Sequence, residues 1–194
     1  GRGRRHVEMF AEWCGTFYPE KTRPEEMLRY YSERLPTVEI NNTFYRMPRE
    51  SVLEDWAAAT PDGFRFAIKA SRRITHMSRL KAESAAEPVE YLYKVLKALG
   101  AKRGPVLFQL PPNLKKDVAL LEAFLDGFPP RVEAAFEFRH DSWFDEAVYA
   151  ALRRRNLALC VADSERLSTP VELTADYAYF RLRDEGYTVA DIAA

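Results

Sequence analysis

The chain has 194 residues, of which 47% are hydrophobic and 30% are charged, and we expect residues 1–194 to form a single globular domain. Its 29 Lys and Arg residues balance its 29 Asp and Glu residues, which excludes a general electrostatic attraction to nucleic acid or to an anionic membrane. Two cysteines and no membrane-length apolar run are typical of a cytoplasmic protein without a disulfide framework or a membrane helix.

Six β-rich runs alternate with helical patterns along the chain. Such alternation indicates parallel βαβ units, which build either an open doubly wound sheet or a closed barrel. Periodicity alone does not choose between these two architectures. The runs are Thr37–Asn42, Phe64–Ala70, Pro105–Leu110, Ala134–Arg139, Ala158–Asp163 and Tyr177–Leu182.

Local signals between these runs predict where helices begin and end. Hydroxyl and carboxylate side chains at capping-box spacing, proline in a first turn and glycine after a last turn are the features used. The capping boxes are Thr22-x-x-Glu25 and Ser51-x-x-Glu54. The predicted helices are one that starts at Pro88 and ends near Gly100, one over Asp117–Asp126 before Gly127, and one over Asp145–Arg155.

The two faces of the predicted strands differ in polarity. Because side chains alternate along a strand, Val38 and Ile40 share one face of the first run, while Glu39 and Asn41 share the other. A parallel sheet covered by helices on both faces is apolar on both. A single apolar face therefore favours a barrel, with helices packed only on the outside.

Most of the polar side chains fall late in their strands. Barrels of the (β/α)8 type carry their active sites at this carboxyl end of the strands, so these residues are expected to converge there. Asp163 also ends a strand, although it falls on the same face of the strand as the apolar Leu159 and Val161. The expected residues are Glu39, Asn41, Lys69, Gln109, Glu137, Arg139, Tyr179 and Arg181, with Asp163.

Several segments, in order, resemble those of the YecE-like family, the domain of unknown function 72. The resemblance runs from about Trp13 to about Leu182 and implies a (β/α)8-type barrel, without supplying an activity. The segments are Trp13–Pro19, Thr37–Arg46, Pro61–Lys69, Ile74–His76, Leu107–Pro112, Glu137–His140 with Trp143, and Ala162-Asp163.

The chain departs from the family pattern at both ends. Arg4–Glu12 lacks the Gly-Thr-Ser-Gly-aromatic segment that precedes the Trp motif, and Arg183-Asp184 replaces a His-Gly pair. The chain also stops at Ala194, before an eighth strand. We therefore expect an incomplete barrel of six clear strands, truncated or divergent at both ends, whose open edges favour self-association.

Acid/base chemistry is the first functional interpretation of the polar face. Desolvation inside a barrel mouth raises the pKa of a carboxylate, so Glu39 and Glu137 are the candidate catalytic pair, together with Asp163 and with His140 as a general base. The alternative is a buried ion-pair network that fixes the strands, in which Lys69, Arg139 or Arg181 neutralise the glutamates.

The cationic, amide and aromatic residues predict a small, anionic substrate. Arginine matches the oxygens of phosphate or carboxylate, and aromatic rings stack on sugars or bases. The expected substrate-binding residues are Asn41, Tyr45, Arg46, Lys69, Gln109, Arg139, Trp143, Tyr179 and Arg181.

Two further functions stay open on the sequence alone. One is a nucleic-acid-binding or metal-dependent nucleic-acid-processing protein, and the other is a non-catalytic interaction protein. No cofactor motif is evident, and a divalent metal held by Glu39, Glu137, Asp163 and His140 has no ligand pair close in sequence to support it.

Overall fold

The computed structural model of the protein describes residues 13–163 and 167–182. Helices and strands alternate within these ranges, as the sequence predicted. In chain order they are α1 (Pro24–Ser32), β1 (Thr37–Ile40), α2 (Glu50–Ala58), β2 (Arg65–Lys69), α3 (Ala82–Leu96), β3 (Arg103–Gln109), α4 (Val118–Asp126), β4 (Ala134–Glu137), α5 (Glu146–Arg153), β5 (Ala158–Asp163) and β6 (Tyr179–Leu182).

The six strands form one parallel sheet in which the spatial order follows the chain, from β1 to β6. A doubly wound sheet instead reverses its order at a switch point and carries helices on both faces. Here the helices and the outward side chains of the strands share one core. That core includes Leu28, Leu53, Leu92, Leu121 and Leu152 of the helices with Phe66, Phe108 and Phe136 of the strands.

The sheet curls, so that its first and last strands face each other across the interior. Arg181 of β6 lies 2.7 Å from Glu39 of β1, measured from Nη2 to Oε1. Chain-ordered parallel strands, helices on one face and this contact define an incomplete barrel of the (β/α)8 type. The predicted fold class is therefore confirmed.

The inner face of the sheet is lined by small or polar side chains, as the strand parity predicted. Its apolar members form a second, smaller cluster: Ala67, Leu107, Ala135, Ala158, Cys160, Ala162 and Tyr179. Burial raises the pKa of the Cys160 thiol above its ordinary value, since a thiolate is costly in an apolar setting. Cys160 is thus an inert residue of the interior.

Three of the predicted helix starts are wrong, those of α1, α2 and α3. Helix α1 begins at Pro24 with Arg23 as its N-cap, and the Arg23 guanidinium donates to Glu26 at 2.6 Å. Thr22 instead bonds the carbonyl of Pro19, because proline at the first helical position sets the start one residue later than the capping box implied. Helix α2 begins at Glu50, so Ser51 lies inside it.

Helix α3 also begins earlier than predicted, which places Pro88 inside it. A proline there cannot donate to the carbonyl four residues before it, which is that of Ser84. The Ser78 hydroxyl donates to this carbonyl at 2.9 Å and so satisfies it. The starts at Asp117 and Asp145 are confirmed, since both side chains accept a backbone N–H of the first helical turn.

The outer face of β6 departs from the predicted pattern. Phe180 and Leu182 are 54% and 58% exposed, whereas the outward residues of β2 to β4 are buried beneath helices. None of the described helices covers these two side chains. The sequence expectations for Arg4–Glu12 and for Arg183-Asp184 concern positions outside the described residues. Nor does any helix in the described ranges have the length and apolar character needed to cross a membrane.

Candidate functional site

A single guanidinium joins two carboxylates inside the barrel. Arg181 donates from Nε and Nη2 to the two oxygens of Glu39, at 2.9 and 2.7 Å. It donates from Nη1 to Oε2 of Glu137 at 2.5 Å. The Arg181 and Glu137 side chains are only 5% and 6% exposed. Buried charges need such partners, and here strands β1, β4 and β6 supply them.

Two neutral side chains complete this cluster. The Tyr179 hydroxyl donates to Oε2 of Glu39 at 2.7 Å, and Gln109 Nε2 donates to Oε1 of Glu137 at 2.8 Å. Every carboxylate oxygen of the two glutamates therefore accepts a hydrogen bond. We refer to Glu39, Gln109, Glu137, Tyr179 and Arg181 as the interior network.

The interior network keeps Glu39 ionised. Burial acts to raise the pKa of Glu39, but the hydrogen bonds and charge of Arg181, with smaller effects of Tyr179 and Asn41, outweigh burial and hold the pKa below its usual range. The expected rise in the Glu39 pKa is thus not found. Burial and the adjacent Glu39 raise the pKa of Tyr179, so its hydroxyl stays protonated as a donor. This arrangement matches the ion-pair alternative drawn from the sequence.

A second cluster, above strands β2 and β4, carries positive charge. Lys69 is the last residue of β2, His76 lies in the π-helical turn Arg73–Met77 that follows, and Arg79 lies two residues beyond that turn. Arg139 lies two residues beyond the end of β4. We call Lys69, His76, Arg79 and Arg139 the cationic mouth.

The ring of Phe44 forms a wall of the cationic mouth. Lys69 Nζ lies 4.7 Å from the centroid of this ring, and the His76 imidazole packs edge-on against it at 5.0 Å. The other side of His76 is fixed by a 2.9 Å contact between its Nδ1 and the Thr75 hydroxyl. Phe44 therefore brings a cation and an imidazole together at one place.

The surroundings of His76 favour its neutral form. Burial lowers the pKa of His76, and the positive charges of Lys69, Arg139 and Arg79 lower it further. The imidazole is therefore uncharged near neutral pH and can accept a proton, as a general base must. His76 and Arg79 were not among the site residues predicted from the strands, because both follow β2; Ile74–His76 in the family resemblance was the available signal.

Arg139 differs from the buried arginine of the interior network. The strand prediction placed Arg139 inside the barrel, but β4 ends at Glu137 and the Arg139 side chain is exposed. It forms no ion pair with any residue of the described ranges. Its charge acts instead on His76.

Two other predicted site residues have structural roles. Trp143 is 0% exposed, stacks on Phe138 with ring centroids 4.7 Å apart and donates from Nε1 to the Leu114 carbonyl at 2.7 Å. It is a core residue and not the ligand platform that was predicted. His140 Nδ1 accepts the Ser142 N–H at 3.2 Å and so caps the short helix Asp141–Trp143.

The remaining predicted residues lie towards solvent. Asn41, Tyr45 and Arg46 are exposed after β1, and the Tyr45 ring packs edge-on against Phe44 at 5.1 Å. Asp163 is half-buried and shares the parity of Leu159, whose side chain lies in the helix-facing core. Of these four, Tyr45 is the one that contacts the wall of the cationic mouth.

The metal alternative receives no support from the described side chains. Within residues 13–163 and 167–182, no group of three or more His, Cys, Asp or Glu side chains is arranged to hold a metal ion. The two glutamates of the interior network, which would be the natural ligands, already direct all four oxygens to hydrogen-bond donors.

Solved structures share this fold. A DUF72 family protein from Thermotoga maritima MSB8 superposes with a TM-score of 0.78 at 31% identity, covering 91% of this chain and 72% of that one. A DUF72 family protein from Enterococcus faecalis V583 superposes with a TM-score of 0.73 at 21% identity, covering 89% of this chain and 79% of that one, and supports the fold alone.

Comparisons of sequence agree with the fold. The chain is 30% identical to the UPF0759 protein YunF of Bacillus subtilis over 69% of this chain and 50% of that protein. It is 27% identical to the UPF0759 protein YecE of Escherichia coli K12 over 71% of this chain and 52% of that protein. The chain thus spans about half the length of these curated relatives. Residues 9–192 match the family described as protein of unknown function DUF72, and the chain belongs to this family.

Proposed function

We propose that the protein binds a small organic anion, a phosphate or a carboxylate, at the cationic mouth and that His76 exchanges a proton with it. The observation that carries the proposal is that Lys69 and His76 lie against the same Phe44 ring, where the charges of Arg79 and Arg139 also act on the imidazole. Positive charges held together repel one another, and an anion placed among them relieves this repulsion through charge-assisted hydrogen bonds.

The interior network supports the site in this proposal and does not carry out the proton transfer. Glu39 stays ionised, and both glutamates hold every oxygen in a hydrogen bond, so a proton transfer to either would break the network. Lys69 is the last residue of β2. This strand pairs directly with β3, which contains Gln109. A rigid interior therefore fixes the strand ends from which the cationic mouth is built.

The proposal predicts that inorganic phosphate binds and that Arg139 contributes to its affinity. Arg139→Gln removes an exposed cation that has no ion pair within the described ranges, so the fold should be unaffected. We expect affinity for phosphate to fall about 5- to 10-fold, equivalent to about 1–1.4 kcal/mol. Isothermal titration calorimetry at low ionic strength measures this change.

Arg131→Gln is the matched control, because it removes the same charge from an exposed residue at the opposite end of the same strand. Equal affinity in wild type and in this control is expected. A wild-type protein that binds no phosphate, or an equal loss of affinity in both variants, would contradict a site at the cationic mouth.

A further inference from the structure

Two large, apolar side chains that are exposed directly follow the wall and the imidazole of the cationic mouth in the sequence. Tyr45 is 73% exposed and Met77 is 69% exposed, while most aromatic side chains of the barrel are buried. Tyr45 directly follows Phe44, and Met77 directly follows His76. Ligand sites combine apolar surface with a few polar groups that fix orientation, and this combination is present here.

The apolar and the charged parts of this surface share one wall. The rings of Tyr45 and His76 each pack edge-on against Phe44, with centroids 5.1 and 5.0 Å from it, and Lys69 Nζ lies 4.7 Å from the same centroid. Tyr45, His76 and Lys69 therefore share Phe44 as a common neighbour.

The chemistry of these side chains indicates what kind of group they would contact. The phenol ring of Tyr45 offers a face or an edge to another ring, and the Met77 thioether makes favourable contacts with aromatic rings. Several cations around one imidazole suit a dianion better than a single negative charge, and arginine matches the oxygens of phosphate in pairs.

We propose that the ligand of the cationic mouth is a phosphate monoester of an aromatic ring, whose phosphate group contacts Lys69, His76 and Arg139 while its ring lies against Tyr45 and Met77. This inference rests on the proposed anion site and names the class of its substrate. It assigns the recognition of the ring to two residues of the loops after β1 and β2.

The test compares inorganic phosphate with phenyl phosphate on the same protein by isothermal titration calorimetry. Wild type should bind phenyl phosphate about tenfold more tightly than inorganic phosphate, because the ring gains the contacts at Tyr45 and Met77. Tyr45→Ala should remove most of this tenfold gain and leave the affinity for inorganic phosphate unchanged. Tyr91→Ala, at a 42% exposed tyrosine on α3, is the matched control and should change neither affinity.

The outcomes separate this inference from the function on which it rests. If inorganic phosphate binds but phenyl phosphate binds no more tightly, the aromatic class is wrong and the anion site stands. If neither ligand binds, both proposals fail. A loss of affinity for both ligands in Tyr45→Ala, or a loss for phenyl phosphate in Tyr91→Ala, would also overturn the role given to Tyr45.

Discussion

Replacing Arg181 with methionine is expected to destabilise the fold by about 3–5 kcal/mol at neutral pH. The substitution removes the shared cation of Glu39 and Glu137, and it leaves the Glu137 carboxylate, whose side chain is only 6% exposed, without a charged partner. An unpaired charge in such a place costs far more than the ion pair itself contributes. Urea unfolding followed by circular dichroism measures the loss.

The same variant should reverse the dependence of stability on acid. In the wild type, the pKa of Glu39 lies below its ordinary 4.5, so ionised Glu39 stabilises the fold above that value and this contribution is lost as the pH falls through the lowered pKa. In Arg181→Met, Glu39 loses the cation that holds its pKa down, so burial raises the pKa of Glu39 and its carboxylate takes up a proton more readily when folded. The variant should therefore gain stability as the pH falls from about 7 to 5.

A variant with a neutral interior network distinguishes the contribution of charge to stability from that of packing. Glu39→Gln, Glu137→Gln and Arg181→Met together remove all three charges and should recover most of the stability lost in Arg181→Met alone. A single Arg181→Met variant that unfolds at the wild-type urea concentration, with the wild-type dependence on pH, would show that the interior network carries no such energetic role.

Trp143→Ala is the second substitution with a large expected effect, a loss of about 3–5 kcal/mol. It removes a fully buried ring that stacks on Phe138 and leaves the Leu114 carbonyl without its indole donor. Trp143→Phe keeps a ring against Phe138 and should lose about half as much. Urea unfolding of both variants tests the core assignment.

The binding of phosphate distinguishes this core role from the ligand contact that the sequence suggested. Trp143→Phe should bind inorganic phosphate as tightly as the wild type, since the indole is 0% exposed. If Trp143→Ala proved as stable as the wild type and instead lost affinity for phosphate, Trp143 would belong to the site and not to the core.

The polarity of one face of the predicted strands, together with the family resemblance, predicted the barrel and the residues on its inner face. The alternation of Glu39 with Val38 and Ile40, and of Glu137 with Phe136 and Phe138, follows from backbone geometry that every strand shares. The same reasoning placed Arg181 and Tyr179 inside. Assigning these residues to the inner face needed only the local sequence, because the face of a strand that packs beneath the helices is apolar.

The pairing of the charged side chains could not be predicted from strand periodicity. Parity places Arg139 and Arg181 on the inner face alike, but β4 ends before Arg139, whereas β6 still includes Arg181. The contact between Glu39 and Arg181 joins residues 142 positions apart and exists only because the sheet curls. The alternation of side chains contains no information on that curvature.

The backbone conformation of the turn after β2 could not be predicted from sequence patterns, for a different reason. His76 belongs to a π-helical turn, and Arg79 and Leu80 follow it with positive φ values of 49° and 64°. Such backbone geometry is rare for residues other than glycine and leaves no periodic signal. Conformations of this kind gather at functional sites, which agrees with the place of this turn beside the cationic mouth.

The pH titration of the His76 imidazole by NMR, with and without inorganic phosphate, tests the proposed anion site most directly. His76→Gln identifies its signal, and His140→Gln identifies a second imidazole that serves as the control. In the free protein the pKa of His76 should lie below its ordinary 6.5, and phosphate should raise it, because an anion among the cations stabilises the protonated ring. A His76 pKa that is the same with and without phosphate would contradict an anion site at the cationic mouth.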